Sequence, residues 1–179
     1  FRRSLAKTLG SEGGYSNDAV DKGGPTMMGV TASTLARAHN MGIVGHNDVQ
    51  KLTRDEASEI YAVLYWQPCH ADDMPWPLCA IHFDMAVNCG IGGAGRTMQR
   101  ALNKLYQCGL VVDGALGPAT LLALKRVLAH TNALKTICEE YCNQREAYYR
   151  RIVANNPAQG KFLRGWLNRV ARNRQLIEG

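Results

Sequence analysis

Residues 13–30, GGYSNDAVDKGGPTMMGV, constrain the chain more than any other stretch. Five glycines together with Asn17, Asp18 and Asp21 leave it no way to continue a helix. The segment predicts turns or a short hairpin. Almost everything around it carries helical spacing. Over 1–12, Phe1, Leu5, Leu9 and Glu12 fall within about 80° of one another, so a carboxylate extends an apolar stripe. A second helix restarts within 30–39. Thr53-Arg54-Asp55-Glu56 spells a capping box that opens a helix through Ile60, Leu64 and Trp66, with Pro68 helping to close it. Pro75 and Pro77 mark a loop. A mostly apolar helix over 78–88 ends at Gly90, and Gly92-Gly93-Ala94-Gly95 reads as a second break. Helices follow through Met98, Leu102 and Leu105, from Gly117-Pro118, over 133–154 and over 161–177. The expected fold is mainly α, with a small β-hairpin or irregular region near the N-terminus.

At 179 residues and 46% apolar, the chain suits one domain, or one domain with a small appendage. No run of eighteen apolar residues occurs. The chain opens at Phe1 rather than Met, which reads as a fragment or processed form, with export left to an upstream leader or signal-anchor segment. A charge of +6 points to an anionic partner. The surplus is uneven: 144–174 carries eight basic residues (Arg145, Arg150, Arg151, Lys161, Arg164, Arg169, Arg172 and Arg174) against the single acid Glu146. The last helix is expected to turn Phe162, Trp166, Leu167 and Val170 to the core. Its basic side is either a solvated face or a binding face. No nucleic-acid motif accompanies the charge, so nucleic acid is set aside as a partner.

The six cysteines include no CxxC pair. Cys79 with His82, and Cys138 with Cys142, have helical spacing, but small buried residues are the better reading. The five histidines are scattered, with no HExxH. Neither metal nor cofactor is implied.

The informative stretch is Ser11-Glu12-Gly13-Gly14-Tyr15 through Asp21 and Gly23-Gly24-Pro25-Thr26 to Gly29-Val30-Thr31. One acid ends an apolar helix face, a second follows nine residues later in a glycine-rich turn, and a threonine follows five after that. Glycoside hydrolysis needs a protonated acid for the leaving oxygen and a second group to stabilise the cation or activate water. An apolar setting raises a carboxyl pKa and keeps its proton, whereas a polar turn keeps its neighbour ionised. Taken singly, Glu12 also suits a helix cap, and Asn17 and Asp21 suit ordinary turn chemistry.

These residues resemble the signature of glycoside hydrolase family 108, the N-acetylmuramidases of phages and bacteria. In that resemblance Glu12 takes the place of the family's catalytic acid. The spacing of Glu12, Asp21 and Thr26 is also similar to the Glu–Asp–Thr triad of T-even phage lysozymes, with the second gap one residue shorter. The resemblance continues through Phe83-Asp84-Met85-Ala86-Val87-Asn88-Cys89-Gly90 and Met98-Gln99-Arg100-Ala101-Leu102. Val112-Asp113-Gly114-Ala115-Leu116-Gly117-Pro118-Ala119-Thr120-Leu121 is similar to the start of the predicted peptidoglycan-binding region that commonly follows.

The resemblance implies a lysozyme-like fold. It implies a muramidase region over 1–92 and a helical peptidoglycan-binding region over 93–179, packed together as one unit. The implied reaction is hydrolysis of the β-1,4 bond between N-acetylmuramic acid and N-acetylglucosamine, as in an endolysin. The alternative is a non-lytic peptidoglycan-binding or secretion-accessory protein on the same scaffold. Glu12 would be the general acid, Asp21 the base or electrostatic partner, and Thr26 the group positioning water. Tyr15, Asn17, Trp66 and Asn88 are candidates for sugar contact, although Trp66 also suits a helix core. The expected partners are peptidoglycan strands and, through the basic C-terminal helices, the anionic envelope. The chain is expected to act as a monomer in the periplasm or at the cell wall.

Overall fold

The capping box forms as its residues dictate. Thr53 Oγ1 accepts from the Glu56 N–H at 3.2 Å, and Glu56 Oε2 accepts from the Thr53 N–H at 2.9 Å. In the computed structural model, which describes residues 1–9, 15–16 and 26–179, this box starts α3 (Arg54–Tyr61). The helix then widens into a single π turn over Ala62–Trp66. Before it come α1 (Arg2–Leu9), the strands β1 (Tyr15–Ser16), β2 (Thr26–Met27) and β3 (Val30–Thr31), and α2 (Ala32–Asn40). After it come α4 (Leu78–Cys89), α5 (Ile91–Tyr106), α6 (Pro118–Leu128), α7 (Ala133–Asn155) and α8 (Gly160–Glu178). The fold is mainly α with one small antiparallel sheet near the N-terminus, as expected.

α4 organises the core. Every residue from Leu78 to Ala86 is buried, so the helix has no solvent face. A helix apolar all round can be stable only when surrounded, and α1, α5 and α7 pack against it. α5 also packs on α7, and α7 on α8. Phe83 of α4 sits edge-on to both Trp66 and Phe1, at centroid distances of 5.3 and 6.1 Å. That aromatic cluster fastens the start of α1 to the middle of the molecule.

The sheet runs in the order β1-β2-β3, with Thr26 opposite both Ser16 and Thr31. Met28 and Gly29 join β2 to β3, and both have positive φ, 50° and 75°. A two-residue hairpin loop favours that geometry because its twist matches the strands. Gly29 has a second reason to be glycine: a Cβ there would lie 2.8 Å from the Tyr61 hydroxyl.

Three local expectations are corrected. Gly92-Gly93-Ala94-Gly95 is no break but the first turns of α5; Gly90, at φ 77°, makes the break alone. Gly95 lies within the helix because the Gly114 carbonyl approaches it, and a Cβ at Gly95 would sit 2.0 Å from that oxygen. Val30 and Thr31 belong to β3, and the helix restarts only at Ala32, with Thr31 as its N-cap. On α8, Val170 is buried and Trp166 and Leu167 are partly so, but Phe162, in the first turn, is exposed.

Candidate active site

Of the proposed catalytic and sugar-contact residues, Glu12, Asn17 and Asp21 lie outside the described residues, and Tyr15 is described only as a β1 backbone position. The structure does define what brackets them. On one side, α1 is held against α4: Ser4 is buried with its hydroxyl 4.0 Å from Cys79 Sγ, and Leu5 and Leu9 pack on the core. This is the apolar stripe that Glu12 extends in sequence. On the other side, the β2–β3 loop is anchored by Tyr61, whose hydroxyl donates to the Met28 carbonyl at 3.2 Å. The two sides meet. A Cβ at Gly29 would lie 3.6 Å from Leu9 Cδ2. The end of α1 at Leu9 therefore lies beside the β2–β3 loop at Gly29, and Thr26, on β2, is half-buried.

Trp66 is placed in the interior. It is only 5% exposed, its ring packs on Phe1 and Phe83, and its indole N–H donates to Asp72 at 2.7 Å. It has no free face to lay against a sugar, which corrects its reading as a sugar contact. The physical reason is visible locally: the π turn that ends α3 points it back onto α4.

Asn88 is exposed, near the C-terminal end of α4. Its side-chain carbonyl accepts from the Tyr149 hydroxyl and, at 3.2 Å, from the Cys89 thiol. With Oδ1 committed, the amide N–H2 is the group that Asn88 can offer outward, and an amide donor suits an acetamido carbonyl. Tyr149 is itself set by Arg145, whose Nε donates to the phenol oxygen at 2.8 Å. Arg145 donates in turn to Asp84 at 2.6 Å. A chain of hydrogen bonds thus runs from the buried middle of α4, through α7, back to the exposed end of α4.

Asp84 is the hub of this network and was not singled out by the sequence reading. It is 4% exposed and also accepts from Arg169 and from Asn173, both on α8. Burial alone would raise its carboxyl, but the charges of Arg145 and Arg169 outweigh burial and hold it below the usual carboxylate range. Beside it on α4, burial pushes His82 down to about 3, so this imidazole is neutral. The Tyr141 hydroxyl donates to the Ala94 carbonyl at 3.2 Å and lies 2.9 Å from His82 Nδ1.

The basic C-terminal helices are not a uniform charged face. Arg145 and Arg169 pair with Asp84, and Arg150 and Arg174 pair with Glu146. Among the described residues, Arg151, Lys161, Arg164 and Arg172 are the basic side chains of 144–174 outside any ion pair. Helical spacing shows Glu146 with Arg150, but not the pairing to Asp84, which lies 61 residues from Arg145 and 85 from Arg169.

The cysteines are free thiols, with Cys69, Cys79, Cys138 and Cys142 buried. Burial raises the thiol of Cys142 to about 11 and those of Cys69 and Cys138 to about 12, so they are unreactive at neutral pH. Among the described residues no group of three or more His, Cys, Asp or Glu side chains could hold a metal, and no helix is long and apolar enough to cross a membrane.

Comparison with known proteins divides the chain where α4 gives way to α5. Residues 5–90 match the family described as Glycosyl hydrolase 108, and residues 93–171 match a Predicted Peptidoglycan domain. Among solved structures, SagA of Brucella abortus is similar over 99% of this chain and 92% of its own, at 28% identity and a TM-score of 0.78. A comparison with curated proteins finds no match. The findings support a glycoside hydrolase acting on peptidoglycan.

Proposed function

Since its residues 5–90 match the glycosyl hydrolase 108 family and are followed by a match to a peptidoglycan domain, we propose that the chain is a muramidase. It cleaves the β-1,4 bond between N-acetylmuramic acid and N-acetylglucosamine, at the cell wall. The observation that carries this reading is the docking of α1 on the core with Leu9 beside Gly29, since Glu12 extends the apolar stripe of that helix in the sequence.

In this reading Glu12 is the general acid, protonating the leaving oxygen. The apolar spacing that it continues in the sequence favours the neutral carboxyl. Asp21, in the polar turn, stays ionised and stabilises the oxocarbenium-like transition state or activates water. Thr26, at the edge of the loop on β2, positions that water. Asn88 meets an acetamido group with its outward amide, and Tyr15 and Asn17 supply further sugar contacts. Host lysis, as by an endolysin, is the biological setting that such cleavage fits.

The test is a pair of measurements on purified sacculi. Glu12→Gln is expected to reduce turbidity loss by at least 100-fold, within the range for removal of a general acid. Mass analysis of the wild-type digest is expected to show reducing N-acetylmuramic acid ends. Clearing by the Gln variant at wild-type rate overturns the role of Glu12. Anhydro ends would make the enzyme a lytic transglycosylase. Binding without any cleavage by the wild-type chain would instead support the non-lytic alternative.

A further inference from the structure

Beyond Asn88 the surface changes character. Arg96 and Arg100 are four residues apart on α5 and therefore share one face of it. Tyr148 and Arg151 are three apart on α7, which packs against α5. Arg96 and Arg151 are exposed, and Arg100 and Tyr148 are half-buried at their feet. Among the described residues none of the three arginines has a carboxylate partner. Their mutual repulsion and partial burial lower the basicity of the Arg100 guanidinium, with burial the larger cause.

A fold that gathers three cations and leaves them unpaired spends stability on the arrangement. On α7 the neighbouring Arg145 and Arg150 are neutralised, by Asp84 and by Glu146, whereas these three are not. The patch also abuts the start of α5. The Arg96 guanidinium folds back over the first turn, 3.4 Å from where a Gly92 Cβ would be, and donates to the Asp113 carbonyl. That helix start has Gly90 as its N-cap and no side chain capping it. Its positive dipole end adds to the arginine charge. Asn88 lies two residues before this N-cap.

The geometry points to Arg96, Arg100 and Arg151, with Tyr148 as their apolar rim, as a carboxylate-binding site for the stem peptides of peptidoglycan, next to the sugar-facing Asn88. Arginine suits the role because its planar fork meets a carboxylate with two parallel hydrogen bonds. Three such forks on a convex helical face suit several carboxylates along a strand better than one buried ion. The inference rests on the peptidoglycan reading of the previous subsection. It adds that the enzyme reads peptide-bearing strands rather than bare glycan.

The test uses the full chain carrying Glu12→Gln, so that sacculi survive, and measures co-sedimentation. The probes are native sacculi lacking teichoic acid, and the same sacculi with their carboxylates amidated by carbodiimide and ammonia. Amidation is expected to weaken binding about tenfold. Adding Arg96→Gln, Arg100→Gln and Arg151→Gln is expected to cause the same loss on native sacculi and little further loss on amidated ones. Lys161→Gln with Arg164→Gln and Arg172→Gln removes the same charge from α8 and is expected to cost less than threefold.

Equal affinity for amidated and native sacculi overturns the site. So does an equal loss in the α8 variant, which would mean binding by net charge alone, and so does displacement by inorganic phosphate where acetate at equal ionic strength has no effect. The amidation arm decides on its own if the triple arginine variant does not fold. Cleavage is scored separately with the unsubstituted chain, so charge-dependent binding without cleavage would sink the hydrolase reading and spare this one.

Discussion

His82 and Asp84 are two residues apart on α4, and both tie stability to acid, but over different ranges. His82 is held neutral by burial, with its pKa down to about 3. The unfolded chain takes up a proton near pH 6.5 that the folded chain refuses, so stability falls from about pH 6.5 downward at ~1.4 kcal/mol per pH unit. Asp84 is held below its usual value, so its contribution is complete above about pH 4 and is lost only as pH falls further. Between pH 6.5 and 4.5, therefore, His82 dominates this pair. His82→Phe keeps an aromatic ring beside Tyr141 and removes the proton site. Urea midpoints at the two pH values are expected to show about 2 kcal/mol less acid destabilisation in the variant than in the wild type. Equal acid sensitivity in both proteins would refute the role of His82. In the sequence His82 is legible only as a spacing with Cys79, and Asp84 only as one residue of the 83–90 stretch. A histidine inside an apolar helix has no charge signature, and a buried aspartate is recognised only through arginines sixty and more positions away.

At the scale of elements, sequence and structure agree where the signal is local and part where it is not. The capping box at Thr53, the proline at the start of α6 and the length of α7 are all decided by neighbours within one or two turns. The glycines of α5 are not. Read alone, 92–95 looks like a break, because glycine costs a helix about 1 kcal/mol relative to alanine. The helix runs through them because the Gly114 turn passes so close that no side chain fits. Gln99 fixes that turn, accepting from the Gly114 N–H at 2.8 Å and donating to Asp113 at 2.7 Å. Propensity and packing therefore predict opposite signs for Gly95→Ala. Propensity alone would stabilise by about 1 kcal/mol. The blocking group is backbone, which moves only by displacing the whole turn, so the expected outcome is a loss of about 2–4 kcal/mol, read from thermal or urea unfolding. A stabilised variant would show that the turn yields.

For the whole molecule, the question is whether the two family segments are separable, and Asp84 answers through physical chemistry. It belongs to the segment matched as a glycosyl hydrolase, yet its partners Arg145 and Arg169 belong to the segment matched as a peptidoglycan domain, and Asn173 lies just past that segment on the same helix α8. Cutting the chain between α4 and α5 would leave a buried carboxylate without its cations, a change that costs about 3–5 kcal/mol where one partner of a buried pair is lost. It would also expose the apolar faces of α4 that α5 and α7 cover. We expect residues 1–92 alone to lack a cooperative unfolding transition, and the full chain to unfold in one calorimetric step. Asp84→Asn in the full chain should lower that single step rather than split it, because the charge it removes serves both segments at once. Two resolved transitions in the wild type, or a folded and active 1–92 fragment, would show the segments to be independent. Asn88, the proposed sugar contact, sharpens the point. Its side-chain carbonyl is held by Tyr149, which Arg145 sets in turn, so under the proposed reading the second segment orients a sugar contact of the first. Tyr149→Phe is then expected to raise KM with little change in kcat, by freeing the Asn88 carbonyl to turn outward.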